Sequence, residues 1–291
     1  MKKLLFVFLV VFLSFGCKVV SQTAQLKEVG SRGRYTTLGP FASFDPDHKS
    51  VEIWTPKGKK APIVVYAHGG AGYRDDDRAR VEMFRRNGFA TLSFDAYEMN
   101  GLDWEFVTRR VTNNGKQHLI WNVFKGAVAY AADNDAWDNQ NIFFYGGSNG
   151  GRTILYAGIE LKKYPIKGII SEAPAATGYE LGDLRIPTIV PFGKLDTWAG
   201  KSDTDYVWTR TYPSSPISLE TWLNAQKEKG HPIKFIFYEN AGHLLFAGPL
   251  EKVTVKRGDK IAFKAYQGAS EAALKQYEED VIAFVKRHLT N

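Results

Sequence analysis

The stretch Asn141 to Gly158, NIFFYGGSNGGRTILYAG, decides the reading of this chain. An apolar aromatic run (NIFFY) predicts a buried strand, and RTILYAG has the apolar spacing of a helix that packs on it. Between them Gly146-Gly147-Ser148-Asn149-Gly150 matches G-x-S-x-G. A strand that turns this sharply into a helix forces the serine into strained dihedrals, and the flanking glycines let the two backbones approach. The same turn exposes the hydroxyl at a helix N-terminus, where free N–H groups favour developing negative charge. Ser148 is therefore a candidate nucleophile.

A serine hydroxyl needs a base to take its proton and an acid to orient that base. His243 follows the last predicted core strand in Glu239-Asn240-Ala241-Gly242-His243 and is the candidate base. His48 lies near the start, His118 inside a helix pattern, His231 before a strand and His288 on the terminal helix, so each reads as a packing or surface residue. Asp196, in PFGKLD after an apolar strand, is favoured as the acid because it follows the strand preceding the histidine strand. Its rival is Glu172, directly after IKGIIS. His68-Gly69-Gly70, immediately after PIVVYA, supplies glycines whose loop can aim N–H groups at a substrate oxygen. The expected donors are the amides of Gly70 or Ala71 together with Asn149. His68 is expected to brace that loop.

Further strand candidates are Pro62 to Ala67, Phe89 to Phe94, Ile166 to Ser171, Thr188 to Phe192 and Ile233 to Tyr238, all near-continuously apolar, as strands covered on both faces are. Helical patterns span Asp76 to Asn87, Gln117 to Ala132, Gly151 to Lys163 and Ser270 to Leu289. Strand and helix in alternation predict an α/β fold, one mostly parallel sheet with helices on both faces, within a single domain over residues 35–291. Short strand-like pieces at Tyr35 to Leu38 and Ser50 to Trp54 precede the alternation, and residues 18–34 read as a polar leader. Residues 199–231 form a polar, aromatic-bearing insertion, predicted as a loop plus a helix near Leu219 to Lys229. Trp198, Tyr206, Trp208 and Tyr212 in or beside it either wall a pocket or pack the loop. Residues 251–264 alternate about Arg257-Gly258-Asp259 as a hairpin.

The order strand-HGG, strand-Phe94-Asp95, strand-GGSNGG, strand-Gly193-Lys194-Leu195-Asp196 and strand-Ala241-Gly242-His243 resembles the α/β-hydrolase superfamily over nearly the whole chain after its leader. FATLSFDAYE followed by a helix and NIFFYGGSNGG looks like the dienelactone hydrolase branch. The resemblance implies Ser148 as nucleophile, Asp196 as acid and His243 as base, with a small-molecule ester as substrate and no cofactor. Dienelactone hydrolases use a cysteine nucleophile; the serine here points away from lactone ring opening and toward an ordinary carboxylic ester. A prolyl-oligopeptidase-type peptidase would share the catalytic domain, but this chain has no room for a propeller. A non-catalytic binding protein on the same fold would be free to lose any member of the triad, and none is lost.

The start, MKKLLFVFLVVFLSFGC, places two lysines before an apolar run and predicts a secretory signal over residues 1–17. Cys17, the only cysteine, sits where a lipoprotein signal would be cut, and its acylation would tether the protein to a membrane; cleavage within VVSQTAQ would instead release a soluble protein. Either route exports the chain. Of 291 residues 44% are apolar and 24% charged, ordinary for a globular domain, and the net charge of +7 comes from scattered lysines, which does not indicate nucleic-acid binding. Gly200-Lys201-Ser202 lacks the earlier glycine of a phosphate loop, since Leu195 stands there, and dispersed histidines give no metal-ligand pattern.

Overall fold

Three early strands are β1 (Gln25–Val29), β2 (Arg34–Leu38) and β3 (Val51–Trp54), and the alternation then begins with β4 (Pro62–Ala67), α1 (Asp75–Arg86) and β5 (Ala90–Phe94). The chain continues through α2 (Ala96–Met99), α3 (Trp104–Arg110), α4 (Asn113–Asp133), β6 (Asp138–Gly147), α5 (Asn149–Glu160), β7 (Ile166–Glu172) and β8 (Thr188–Gly193). It closes with α6 (Leu219–Glu228), β9 (Ile233–Tyr238), β10 (Glu251–Arg257), β11 (Lys260–Gln267) and α7 (Glu271–Arg287). These elements belong to a computed structural model that describes residues 24–29, 34–174, 182–211, 217–257 and 260–289. The predicted signal and Cys17 lie outside the described residues, as does Tyr212.

Seven strands form one sheet in the order β3-β5-β4-β6-β7-β8-β9. Only β3 runs antiparallel, against β5; every other pairing is parallel. Alternate side chains of one strand feed two cores. Ile63, Val65 and Ala67 face a cluster with Leu119, Val123 and Phe124 of α4 and Leu155 of α5. Val64 and Tyr66 face Val81 and Phe84 of α1 and Tyr277, Val281 and Val285 of α7. Helices thus cover both faces, which is why the central strands are apolar throughout.

Four features depart from the sequence reading. The polar leader is not unstructured at its end: β1 pairs antiparallel with β2, from Gln25 opposite Leu38 to Val29 opposite Arg34. Helix α4 begins four residues earlier than its apolar pattern, because Thr112 caps it by accepting from the Gly115 N–H and Gly115 sits where β2 docks. A Cβ on Gly115 would lie 2.7 Å from Val111 Cγ1 and 3.2 Å from the Thr37 nitrogen. The short helices α2 and α3 each rest on an aspartate cap, Asp95 accepting from Tyr97 N–H and Glu98 N–H, and Asp103 from Phe106 N–H. The hairpin of β10 and β11 runs to Gln267, three residues beyond its predicted end.

Candidate active site

At the carboxyl end of β6, Ser148 has φ 52° and ψ −115°, a conformation that costs a non-glycine residue about 1–3 kcal/mol. The surroundings over-determine it. Its N–H donates to the Glu172 carbonyl at 2.8 Å, and its carbonyl accepts from the Arg152 N–H at 3.0 Å. A Cβ on Gly146 would lie 2.7 Å from the Gly150 carbonyl carbon, and one on Gly150 would collide with the carbonyls of Ala67 and His68. The glycines are there because β6, α5 and the end of β4 converge on one point.

The HGG loop lies against this elbow. A Cβ on Gly69 would stand 3.8 Å from Ser148 Cβ, and one on Gly70 would stand 2.5 Å from Asn149 Nδ2. Gly70 and Asn149 are therefore neighbours at the N-terminus of α5. The loop is braced as its sequence suggests. His68 is fully buried; its Nε2 accepts from the Ala96 N–H at 3.0 Å, so the proton is on Nδ1, which donates to the Gly69 carbonyl at 2.7 Å. Both ring nitrogens are engaged in structure. Asp95 adds a second brace by accepting from the Tyr73 N–H at 3.1 Å.

Asp196 and His243 meet from adjacent strand ends. The His243 Nδ1–H donates to Asp196 Oδ2 at 2.9 Å, and both side chains are almost wholly buried. A carboxylate oxygen can only accept, so Nδ1 holds the proton and Nε2 keeps a lone pair. The other oxygen, Oδ1, accepts from the Trp198 N–H at 3.1 Å. The Trp198 indole stacks on the His243 imidazole, with ring centroids 4.8 Å apart and planes 13° apart, and its far edge meets Phe263 of β11 at 5.1 Å. The histidine loop is further bound to the hairpin, His243 N–H donating to the Tyr266 carbonyl at 2.8 Å and Gly242 N–H to the Gly268 carbonyl at 2.8 Å.

Glu172, the rival acid, is committed elsewhere. It is fully buried; Oε2 accepts from Arg80 Nε at 2.8 Å and from the Tyr145 hydroxyl at 3.0 Å. Oε1 accepts from the Leu245 N–H at 2.6 Å. The Tyr145 hydroxyl spends its proton on Glu172, so the Tyr277 hydroxyl, 2.8 Å away, donates to it. Burial opposes charge on Arg80, yet the Glu172 carboxylate beside it holds the guanidinium pKa above its usual range. Burial, then the Glu172 charge, pushes the Tyr145 and Tyr277 phenols up.

The aromatics around the insertion divide between the two roles open to them. Trp208 is buried, stacked on Tyr206 at 4.7 Å and packed against Phe192 and Phe237, so it seals the insertion to the sheet. Trp198 instead covers the histidine. Among the described residues, no group of three or more His, Cys, Asp or Glu could hold a metal ion, and no helix is long and apolar enough to cross a membrane.

A seven-stranded sheet of this order matches known structures over most of the chain. This is the α/β-hydrolase fold. The chain is similar to dienelactone hydrolase from Anabaena variabilis ATCC 29413, with a TM-score of 0.54 and 17% identity over 92% of this chain and 100% of that one. It is similar to Est1E from Butyrivibrio proteoclasticus, solved with ferulic acid bound, at a TM-score of 0.51 and 16% identity over 82% and 94%. It is similar to Thermogutta terrifontis esterase 2, phosphoramylated by tabun, at a TM-score of 0.54 and 15% identity over 91% and 94%. No protein-family model matches the chain, and no curated protein does. Ser148, Asp196, His243, Gly70, Ala71 and Asn149 are legible as candidates from the residues alone, whereas the stacking of Trp198 on His243 emerges only in the fold. The signal for Trp198 was its position two residues past the acid.

Proposed function

We propose that this α/β-hydrolase-fold protein is a serine hydrolase that cleaves a carboxylic ester through an acyl-enzyme. Ser148 Oγ attacks the ester carbonyl while His243 Nε2 takes its proton, and Asp196 holds the imidazolium through Nδ1. The amide of Gly70 or Ala71 and that of Asn149 stabilise the oxyanion, each such donor lowering the barrier by about 2.7–4 kcal/mol in comparable sites. The tetrahedral intermediate collapses with the alcohol leaving and taking the proton from His243. Water then attacks the acyl-enzyme, gives its proton to His243, and the acid departs as Ser148 recovers its own.

The single observation that carries this reading is the Nδ1–H bond from His243 to a buried Asp196 at 2.9 Å, which leaves Nε2 to act as the acceptor, in a chain whose Ser148 is held in strained geometry. Similarity to an esterase and to a protein that binds ferulic acid favours ester chemistry over peptide cleavage. We further propose that the signal over residues 1–17 exports the chain, which is then either acylated at Cys17 and tethered to a membrane or cleaved within VVSQTAQ and released. Hydrolysis of p-nitrophenyl esters of graded acyl length, beside acetylated sugars, tests the function: turnover lost in His243→Ala supports it, and absence of turnover on every ester contradicts it. A preference for acetyl esters would direct attention to carbohydrate deacetylation.

A further inference from the structure

We infer that Glu172 is the positioning residue that sets the elbow and the histidine loop in register, an inference that rests on the serine hydrolase reading. Glu172 touches both halves of the site with different parts of itself. Its backbone carbonyl accepts the Ser148 N–H at 2.8 Å, and its carboxylate accepts the Leu245 N–H, two residues past His243, at 2.6 Å. The loop between needs this hold. Leu244 has φ 55°, a left-handed conformation unfavourable for a leucine, and its side chain packs on the elbow, with Cδ2 2.8 Å from where a Cβ on Gly147 would stand. A loop bent this way stays bent only while the next N–H is anchored.

Arg80 and Tyr145 fix the anchor in turn. They occupy Oε2, which leaves Oε1 aimed at Leu245 and prevents the carboxylate from rotating toward the imidazole. Arg80 is itself held by Asp76 Oδ2 at 2.8 Å and lies near Asp77, while Tyr277 reaches the cluster from α7 through Tyr145. Only a carboxylate meets all of these donors at once. A glutamine in its place keeps one oxygen, which can serve Leu245 only by turning its amide N–H groups toward Arg80.

The experiment separates positioning from mere stability. Glu172→Leu strands the Arg80 charge and lowers Tm. Replacing the whole pair, Glu172→Leu with Arg80→Met, removes the buried charge and recovers much of that Tm, because apolar residues often substitute for a buried ion pair without loss. Neither restores an acceptor for Leu245. Both are expected to keep KM and to lose kcat by about 100-fold, as a shift of about 1 Å in a catalytic group does, with Glu172→Gln in between. The downfield proton resonance of His243 Nδ1 should broaden or vanish in the leucine variants. Tyr277→Phe, which loosens the cluster without touching Leu245, should lower Tm and leave kcat unchanged.

Should the leucine variants fail to fold, Leu245 replaced by its α-hydroxy acid analogue removes only the N–H that Glu172 holds, with the same kcat loss expected. A folded double variant, or the backbone analogue, with wild-type kcat and an unchanged His243 resonance would overturn the inference. Wild-type protein with no ester turnover would instead overturn the hydrolase reading.

Discussion

Trp198 lies flat on His243, ring centroids 4.8 Å apart, while its backbone N–H donates to the carboxylate that holds that histidine. The tryptophan thus confines the imidazole from the side and the acid from behind. Trp198→Ala should leave the fold intact and lower kcat on a p-nitrophenyl ester about 10-fold, since stacked aromatic pairs contribute about 0.5–1.5 kcal/mol. Trp198→Phe should recover most of it. Steady-state kinetics on both variants, with near-UV circular dichroism, checks this.

The strain at Ser148 makes a stability prediction of opposite sign to the activity one. At φ 52° a glycine is unstrained, so Ser148→Gly should be inactive and more stable than Ser148→Ala, which removes the hydroxyl but keeps the Cβ. Strain of about 1–3 kcal/mol sets the upper bound on the difference. Urea denaturation of the two variants reads it directly.

Gly70 and Asn149 lie against one another at the N-terminus of α5, where we propose the oxyanion donors. Gly70→Ala would place a Cβ 2.5 Å from Asn149 Nδ2, so it should lower kcat by at least 10-fold, whereas Asn149→Ala removes a side chain and keeps the amide that matters, leaving substantial activity. Similar losses in the two variants would mean that the Asn149 side chain carries the function.

His118 of α4 ties stability to pH. Partial desolvation, then the nearby Arg152 charge, holds the pKa of this half-exposed ring below the ordinary 6.5. A histidine with a depressed folded pKa favours folding while neutral, so its contribution is complete above the unfolded pKa and is lost as pH falls through the folded value. Chemical denaturation at stepped pH from 8 to 5 should show wild-type stability falling at the acid end more steeply than that of His118→Gln.

Much of this molecule was legible in its residues because its central strands are covered on both faces and so are apolar without interruption. The elbow was legible because convergence of three backbones demands glycine, and Gly146 and Gly150 stand where a Cβ cannot fit. Strand β1 was not, since Gln25–Val29 is polar, mostly exposed and held by backbone pairing to β2. The role of Glu172 was not legible either. Its position at the end of β7 made it a rival acid, and only the tertiary fold brings Arg80, 92 residues away, and the Leu245 N–H to its two oxygens.

We propose Ser148 as a nucleophile activated by His243. Labelling of the folded protein with a fluorophosphonate, followed by peptide mapping, is the decisive test. One adduct per chain is expected on Ser148, lost in Ser148→Ala and strongly slowed in His243→Ala. Wild-type protein that stays unlabelled, or Ser148→Ala that labels as fast as wild type, would contradict it.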